Sequence, residues 1–452
     1  MEEKRFEVGY ARATINPPMG LKIPGHGFMP RPSEGIIDDL HVYALAFSDG
    51  ENKAILFNAD ALGVISTGGQ RIREKVAERC QIPVENVFLA CTHCHTAMWV
   101  GGDDSDPEDP PAERNYYGYQ DTVFCDVAQF AMEDLKPATM KIARGQVKGV
   151  GFIRRFKMAD GTLKTNPGYM RPDIVEPDGV QDEGLQLVRM EREGGKEIVI
   201  VNFSVHPDVV SGRKYSPDWP GYVVDVVEAG LEGKANVVML NGFSGDSNHC
   251  NRFKPKPTVT GLEFAKRMAR KIGGEALKVY DDAEEIPTGN VAGFMDIAVF
   301  GKNPYEEWEV PISEQIVATG ALQDKDLPED LKKYGISIKK AQRILKNLTR
   351  PDNFEIPMYC LQVGNICFVG APGEPFCETG MDIKTASKMD MTICTCRTNG
   401  STGYFPTRRA YAGGGYERDY TSFGPDCAES IAAAALRCID KMEKTEKIEE
   451  QE

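Results

Sequence analysis

Apolar runs of strand length recur along this chain, and one after another they end in short turns rich in glycine, histidine or acid. Residues 87–91 (VFLAC) run into Thr92-His93-Cys94-His95-Thr96, and 198–205 (IVIVNFSV) run into His206. Residues 237–240 lead to 241–251 (NGFSGDSNHCN), 366–369 to 371–374 (APGE), and 391–395 to 400–406 (GSTGYFP). Strands that are apolar at every position are covered on both faces, so they belong to sheets inside a layered fold. The order strand, helix, strand over 53–60, 67–80 and 85–94 adds an α/β pattern. Together these runs predict an α/β protein of layered, mixed β-sheets with outer helices, in which residues 1–452 form one domain.

Further helices are expected over 116–135, 221–231, 260–280 and 426–444, with a frayed charged tail at 445–452. A β-hairpin is expected from 185–192 and 198–206, turning at Glu193-Gly194-Gly195. Residues 313–348 are mostly charged with helical spacing and predict an αα insertion packed on the outside. The charge balance narrows function. Lys and Arg number 53 against 68 Asp and Glu, a net charge of −15, which opposes nucleic-acid binding through clustered basic residues. No apolar window reaches membrane-spanning length, and the start (MEEKRFEV) lacks a basic-then-apolar leader. The expectation is a cytoplasmic protein with reduced thiols and a small-molecule substrate, with a homo-oligomer left open.

The chemistry-bearing residues sit in the turns. In a strand, residues i and i+2 share a face, so His93 and His95 would project together where their strand opens into a loop. His206 ends a second apolar strand in the same way. Neutral imidazole is the commonest metal ligand near pH 7, and three histidines at strand exits favour a metal site. The other turns contribute Asp246, Ser247, Glu374 and Tyr404. Basic residues lie nearby in sequence, Arg154 and Arg155 before an Asp-Gly turn and Arg408 and Arg409 just after Tyr404. They suit a small polar or anionic substrate. Neither Ser244 nor Ser247 lies in a G-x-S-x-G elbow, and strand alternation turns Cys94 away from the two imidazoles.

The turn motifs carry a resemblance. The segment 92–96 (THCHT) resembles the THTHS segment of the neutral/alkaline ceramidase family. Further matching pieces follow in that family's order: 58–60 (NAD), 202–207 (NFSVHP), 216–222 (SPDWPGY), 241–248 (NGFSGDSN), 372–374 (PGE) and 402–407 (TGYFPT). The similarity is strongest to the short bacterial branch that lacks a C-terminal β-sandwich. It implies a ceramidase-like catalytic domain and one Zn2+ per chain, held by His93, His206, Glu374 and Tyr404. His95 would lie beside the metal and handle a proton. It further implies a zinc-dependent hydrolase in which metal-activated water attacks a carbonyl carbon, as in amide hydrolysis. Where the family has GD-x-SPN, this chain reads Gly245-Asp246-Ser247-Asn248-His249, so the role of Ser247 stays open. With no export signal, a small polar substrate is expected in place of a lipid. Alternatives are an intracellular hydrolase opening a cyclic polyol or sugar-derived keto compound in carbohydrate catabolism, and a non-catalytic metal-binding protein.

Overall fold

The computed structural model describes residues 5–25, 31–102 and 110–449; His26 lies outside them. Its larger sheet has nine strands. Eight of them are β1 (Glu7–Thr14), β2 (His41–Ser48), β3 (Lys53–Ala59), β4 (Val87–Cys91), β5 (Lys136–Gln146), β6 (Gly184–Arg192), β7 (Glu197–Phe203) and β8 (Ala235–Asn241). They lie side by side in the order β8-β7-β6-β5-β1-β2-β3-β4, and the short β9 (Glu284–Ile286) also pairs with β5. A four-stranded sheet follows in the order β10-β11-β12-β13: β10 (Val291–Gly301), β11 (Asn353–Val363), β12 (Ile366–Gly370) and β13 (Met391–Thr395). Most neighbours are antiparallel. The exceptions are β3 with β4, β7 with β8, and β12 with β13.

The two sheets pack face to face. Leu45, Leu56, Phe88, Ile200 and Leu240 from the larger sheet meet Val291, Leu361, Phe368 and Ile393 from the smaller one. Each sheet also has a helical cover, which explains why β2, β3 and β4 are apolar at nearly every position. Helices α1 (Ser66–Cys80) and α2 (Pro111–Glu133) cover the β2–β4 end through Ile72, Val76, Phe124 and Val127. Helices α3 (Asp218–Gly230) and α4 (Gly261–Tyr280) cover the β6–β8 end through Val223, Val227, Met268 and Ile272. The smaller sheet is backed by the 377–386 and 427–449 helices, which contribute Ile383, Ile431 and Ala435. The layer order is helix, sheet, sheet, helix, as the apolar runs predict.

Three expectations change. Strands β1 and β2 are absent from the sequence reading, because an unbroken apolar run such as HVYALAFS has no period of its own. The terminal helix extends past the expected end at 444 to Glu449, and 450–452 fall outside the described residues. The charged 313–348 segment begins its helices earlier and connects the antiparallel strands β10 and β11. It comprises α5 (Glu309–Ala318), α6 (Glu329–Lys332) and α7 (Ile338–Leu348) around a small apolar centre of Ile316, Leu327, Leu331 and Ile336. One face of α7 looks inward, onto a cavity described below, so the insertion is not confined to the outside.

Candidate metal centre

Every turn that matters follows the C-terminal end of a strand with a parallel neighbour. His93 and His95 follow β4, His206 follows β7, Asp246 and Ser247 follow β8, and Glu374 follows β12. The carboxyl ends of parallel strands all face one way, and an α/β sheet places its crevice there. Buried asparagines tie these ends together. Asn241 Nδ2 donates to the Thr92 carbonyl at 3.1 Å, Asn202 Nδ2 to the Leu240 carbonyl at 3.0 Å, and Asn58 Nδ2 to the Met239 carbonyl at 3.0 Å. The loops that carry the histidines are therefore anchored to neighbouring strands.

The three imidazoles converge. His93 Nε2 lies 3.2 Å from His206 Nε2, and His95 Nε2 lies 3.4 Å from His93 Nε2 and 3.2 Å from His206 Nε2. Each ring turns its other nitrogen to a backbone carbonyl: Leu62 at 2.6 Å for His93, Gly25 at 3.0 Å for His95, Ser244 at 3.4 Å for His206. A carbonyl only accepts, so each Nδ1 keeps the proton and each Nε2 is left as a bare lone pair. Three lone pairs facing one another at these distances repel unless a cation lies between them. Glu374 completes the set: its Oε2 is 3.2 Å from His93 Nε2, 3.7 Å from His206 Nε2, and has no hydrogen-bond donor although it is buried. An orphaned buried carboxylate oxygen beside three bare imidazole nitrogens fits a divalent metal such as zinc.

The geometry differs from strand alternation in one respect. His93 and His95 lie past the end of β4, and His93 has a φ of 66°. A left-handed residue at the turn, and not a shared strand face, swings its ring onto that of His95. His95 is the most accessible of the three, with His93 and His206 both buried. Burial, with His93 and Arg154 nearby, pushes the His206 imidazole down to about 3, which keeps it neutral and able to coordinate. Burial opposes the charge on Glu374, but the Arg397 guanidinium outweighs it and holds this carboxyl well below its usual range.

Arg397 pairs directly with Glu374 Oε1 and also has a positive φ, 53°. The sequence reading passed over it. It follows β13 in Cys396-Arg397-Thr398-Asn399, a polar turn after an apolar strand like all the others, and that pattern would have found it. Tyr404 pairs with Glu374 in a short parallel bridge. Burial and the Glu374 charge push its phenol well above the usual value, so it keeps its proton. Arg154 is buried, with its guanidinium 5.4 Å above the Tyr404 ring and its Nε on Glu417 at 2.8 Å.

The remaining expected site residues are placed elsewhere. Arg155 is fully buried with its donors on protein: Asp178, Glu417 and the Ala410 and Gly414 carbonyls. It braces the 408–417 loop and has no donor left for a substrate. Arg408 is exposed and pairs with Asp426, while Arg409 pairs with Asp178 and Glu378; neither lines the cavity over the histidines. Asp246 Oδ1 accepts from the Cys377 amide at 2.9 Å, and burial pushes its carboxyl up to about 6. Ser247 is buried and donates to Gln181 Oε1, and it too stays off the cavity wall. Burial raises the Cys94 thiol far from a reactive thiolate.

That cavity has a volume of about 470 Å³ and is bounded by His93, His95, Glu374, Arg397, Tyr404 and one face of α7. No helix among the described residues is long and apolar enough to cross a membrane. No protein-family model matches the sequence, and a search of curated proteins finds no match. Solved structures do match. The chain is similar to neutral ceramidase from Pseudomonas aeruginosa, with a TM-score of 0.69 and 16% identity over 97% of this chain and 74% of that one. It is also similar to a ceramidase complexed with C2, with a TM-score of 0.72 and 14% identity over 98% of this chain and 76% of that one. The fold is that of the ceramidases.

Proposed function

We propose that this chain is a metal-dependent hydrolase that cleaves an amide in a small polar substrate, with one Zn2+ held by His93, His206 and Glu374. His95 Nε2 lies as close to the ring nitrogens as they do to each other, and Tyr404 stands beside Glu374. The observation that carries the reading is the convergence of three imidazole Nε2 atoms, those of His93 and His206 lying 3.2 and 3.7 Å from a buried carboxylate oxygen that has no donor among the described residues. The ceramidase fold supports the amide as the bond, and the cavity volume of about 470 Å³ supports a compact substrate. When bound, zinc lowers the pKa of a water molecule to about 7 and polarises a carbonyl.

The chain's own residues divide the remaining work. His95, the most accessible imidazole, takes a proton from the attacking water and delivers it to the departing amine nitrogen. The water oxygen ends on the acyl carbon as the C–N bond breaks, giving a carboxylic acid and an amine. Tyr404, holding its proton, donates a hydrogen bond to the carbonyl oxygen as charge develops there. Arg154 above the ring favours that charge electrostatically, and Arg397 fixes the carboxylate of Glu374. Metal content per chain, measured for wild type and His93→Ala, tests the reading. About one zinc in the wild type and none in the folded variant supports it, together with chelator-sensitive cleavage of N-acyl amides. A wild type that takes up no metal after reconstitution sinks it.

A further inference from the structure

The wall of the cavity opposite the histidines is the inserted helix α7, and its inward face is cationic. Lys339, Gln342, Arg343 and Lys346 line the cavity together, the i, i+3, i+4, i+7 spacing of a single helical face. Only one carboxylate, Glu374, lines the same space among the described residues, and Arg397 already pairs with it. Arg343 is 2% exposed. Its Nη1 donates to the Asn303 and Pro304 carbonyls at 3.1 and 3.0 Å, while Nε and Nη2 are buried with no acceptor among the described residues. The nearby carboxylates are otherwise engaged, Glu309 by Lys340 and Asp419 by Ser337 and Arg418. Lys346 lies on the accessible rim with no ion pair among the described residues, and the Lys339 ammonium sits 5.7 Å over the Tyr420 ring.

We infer that the substrate carries an oxyanion at the end remote from the scissile bond, and that Arg343 and Lys346 of α7 bind it. A buried guanidinium with two unused nitrogen donors is costly to leave alone, and an oxyanion is the ligand that satisfies both at once. The local charge contrasts with the chain's net −15. Carboxylate, sulfonate and phosphate share the required chemistry. The inference rests on the hydrolase reading for what happens at the other end of the substrate, while the anion site itself stands on α7 alone.

Calorimetric titration of the full-length protein, zinc-loaded and metal-depleted, separates the two. The probes are N-acetylglycine, N-acetyltaurine and N-acetyl-O-phosphoethanolamine, each against the neutral N-acetylglycinamide. The best anionic probe is expected to bind about tenfold more tightly than the neutral one, and its identity selects among the three oxyanions. Lys346→Gln, on the rim and safe for folding, is expected to reduce that preference at least about threefold, and Arg343→Lys to reduce it further. Equal binding of neutral and anionic probes, or a preference untouched by Lys346→Gln, overturns the inference. A preference that persists in protein unable to take up metal overturns the hydrolase reading and leaves the oxyanion site in place.

Discussion

Two histidines of this molecule, in the loops after the neighbouring strands β7 and β8, differ in charge: one is neutral and the other a cation. In the loop after β7, His206 faces two imidazoles, turns its Nδ1 to a backbone carbonyl, and is held neutral. In the loop after β8, His249 faces the carboxylate of Asp208 at 3.3 Å. Burial works against its charge as well, yet the Asp208 contact pushes the imidazole up to about 10. Burial is common to both, so burial alone does not decide. The partner decides: a carbonyl behind the ring makes a ligand, and a carboxylate behind it makes a permanent cation.

The sharpest way to break this contrast is to remove one ring from each region. His206→Ala is expected to abolish metal binding and to reduce any hydrolysis by about a thousandfold or more, with far-UV circular dichroism unchanged. Metal retained at one per chain in that variant would mean the converging nitrogens are not the site. Arg397→Gln probes the cation already present beside the cluster. It leaves Glu374 buried without its partner and should cost about 3–5 kcal/mol in metal-free protein, by urea unfolding. Added zinc should restore much of the loss, since it supplies positive charge to the same carboxylate.

Asp60 extends the contrast to a buried acid with no ion pair among the described residues, where burial outweighs the lowering effect of Arg12. Burial raises its carboxyl from 3.8 to about 7, so the folded state holds a proton that the unfolded chain releases earlier. Stability is therefore full below about pH 4 and falls as pH rises towards 7. Asp60→Asn, which cannot ionise, is expected to be the more stable protein at pH 8, by at most about 4 kcal/mol, with the advantage gone near pH 4. Thermal melts across that range check it. The smallest effect belongs to the second region. His249→Gln breaks a partly accessible ion pair, should cost about 1 kcal/mol, and should leave metal content untouched. Loss of metal in that variant would join two regions that the geometry keeps separate.

How much of this was readable in advance depends on whether the determinant was local. The run 87–91 followed by the Thr92–Thr96 turn carries its own message, because apolarity at every position and an abrupt polar stop are visible in a few residues. His93, His95, His206, Glu374 and Tyr404 were found that way; four of them line the cavity, and buried His206 lies 3.2 Å from both His93 and His95. Arg155, Arg408 and Arg409 look equally promising in sequence, yet their partners Asp178, Glu417, Asp426 and Glu378 come from distant segments. No local pattern reports that a charge is already neutralised. Apart from Arg397, the cations that do face the cavity come from α7, in a segment whose charge reads as an outer surface. Its inward orientation follows from where β10 and β11 place the insertion, which is a property of the sheet.

The ligands themselves come from turns after β4, β7 and β12, far apart along the chain and joined only when both sheets have formed. A site of this kind cannot template its own folding. In the unfolded chain the three segments share no loop short enough to be closed by one ion, unlike sites whose ligands sit a few residues apart. The long-range strand pairing that must come first is also the slow part of folding. Any metal held by these residues enters only after both sheets have formed, so a folded, metal-free form precedes the loaded one.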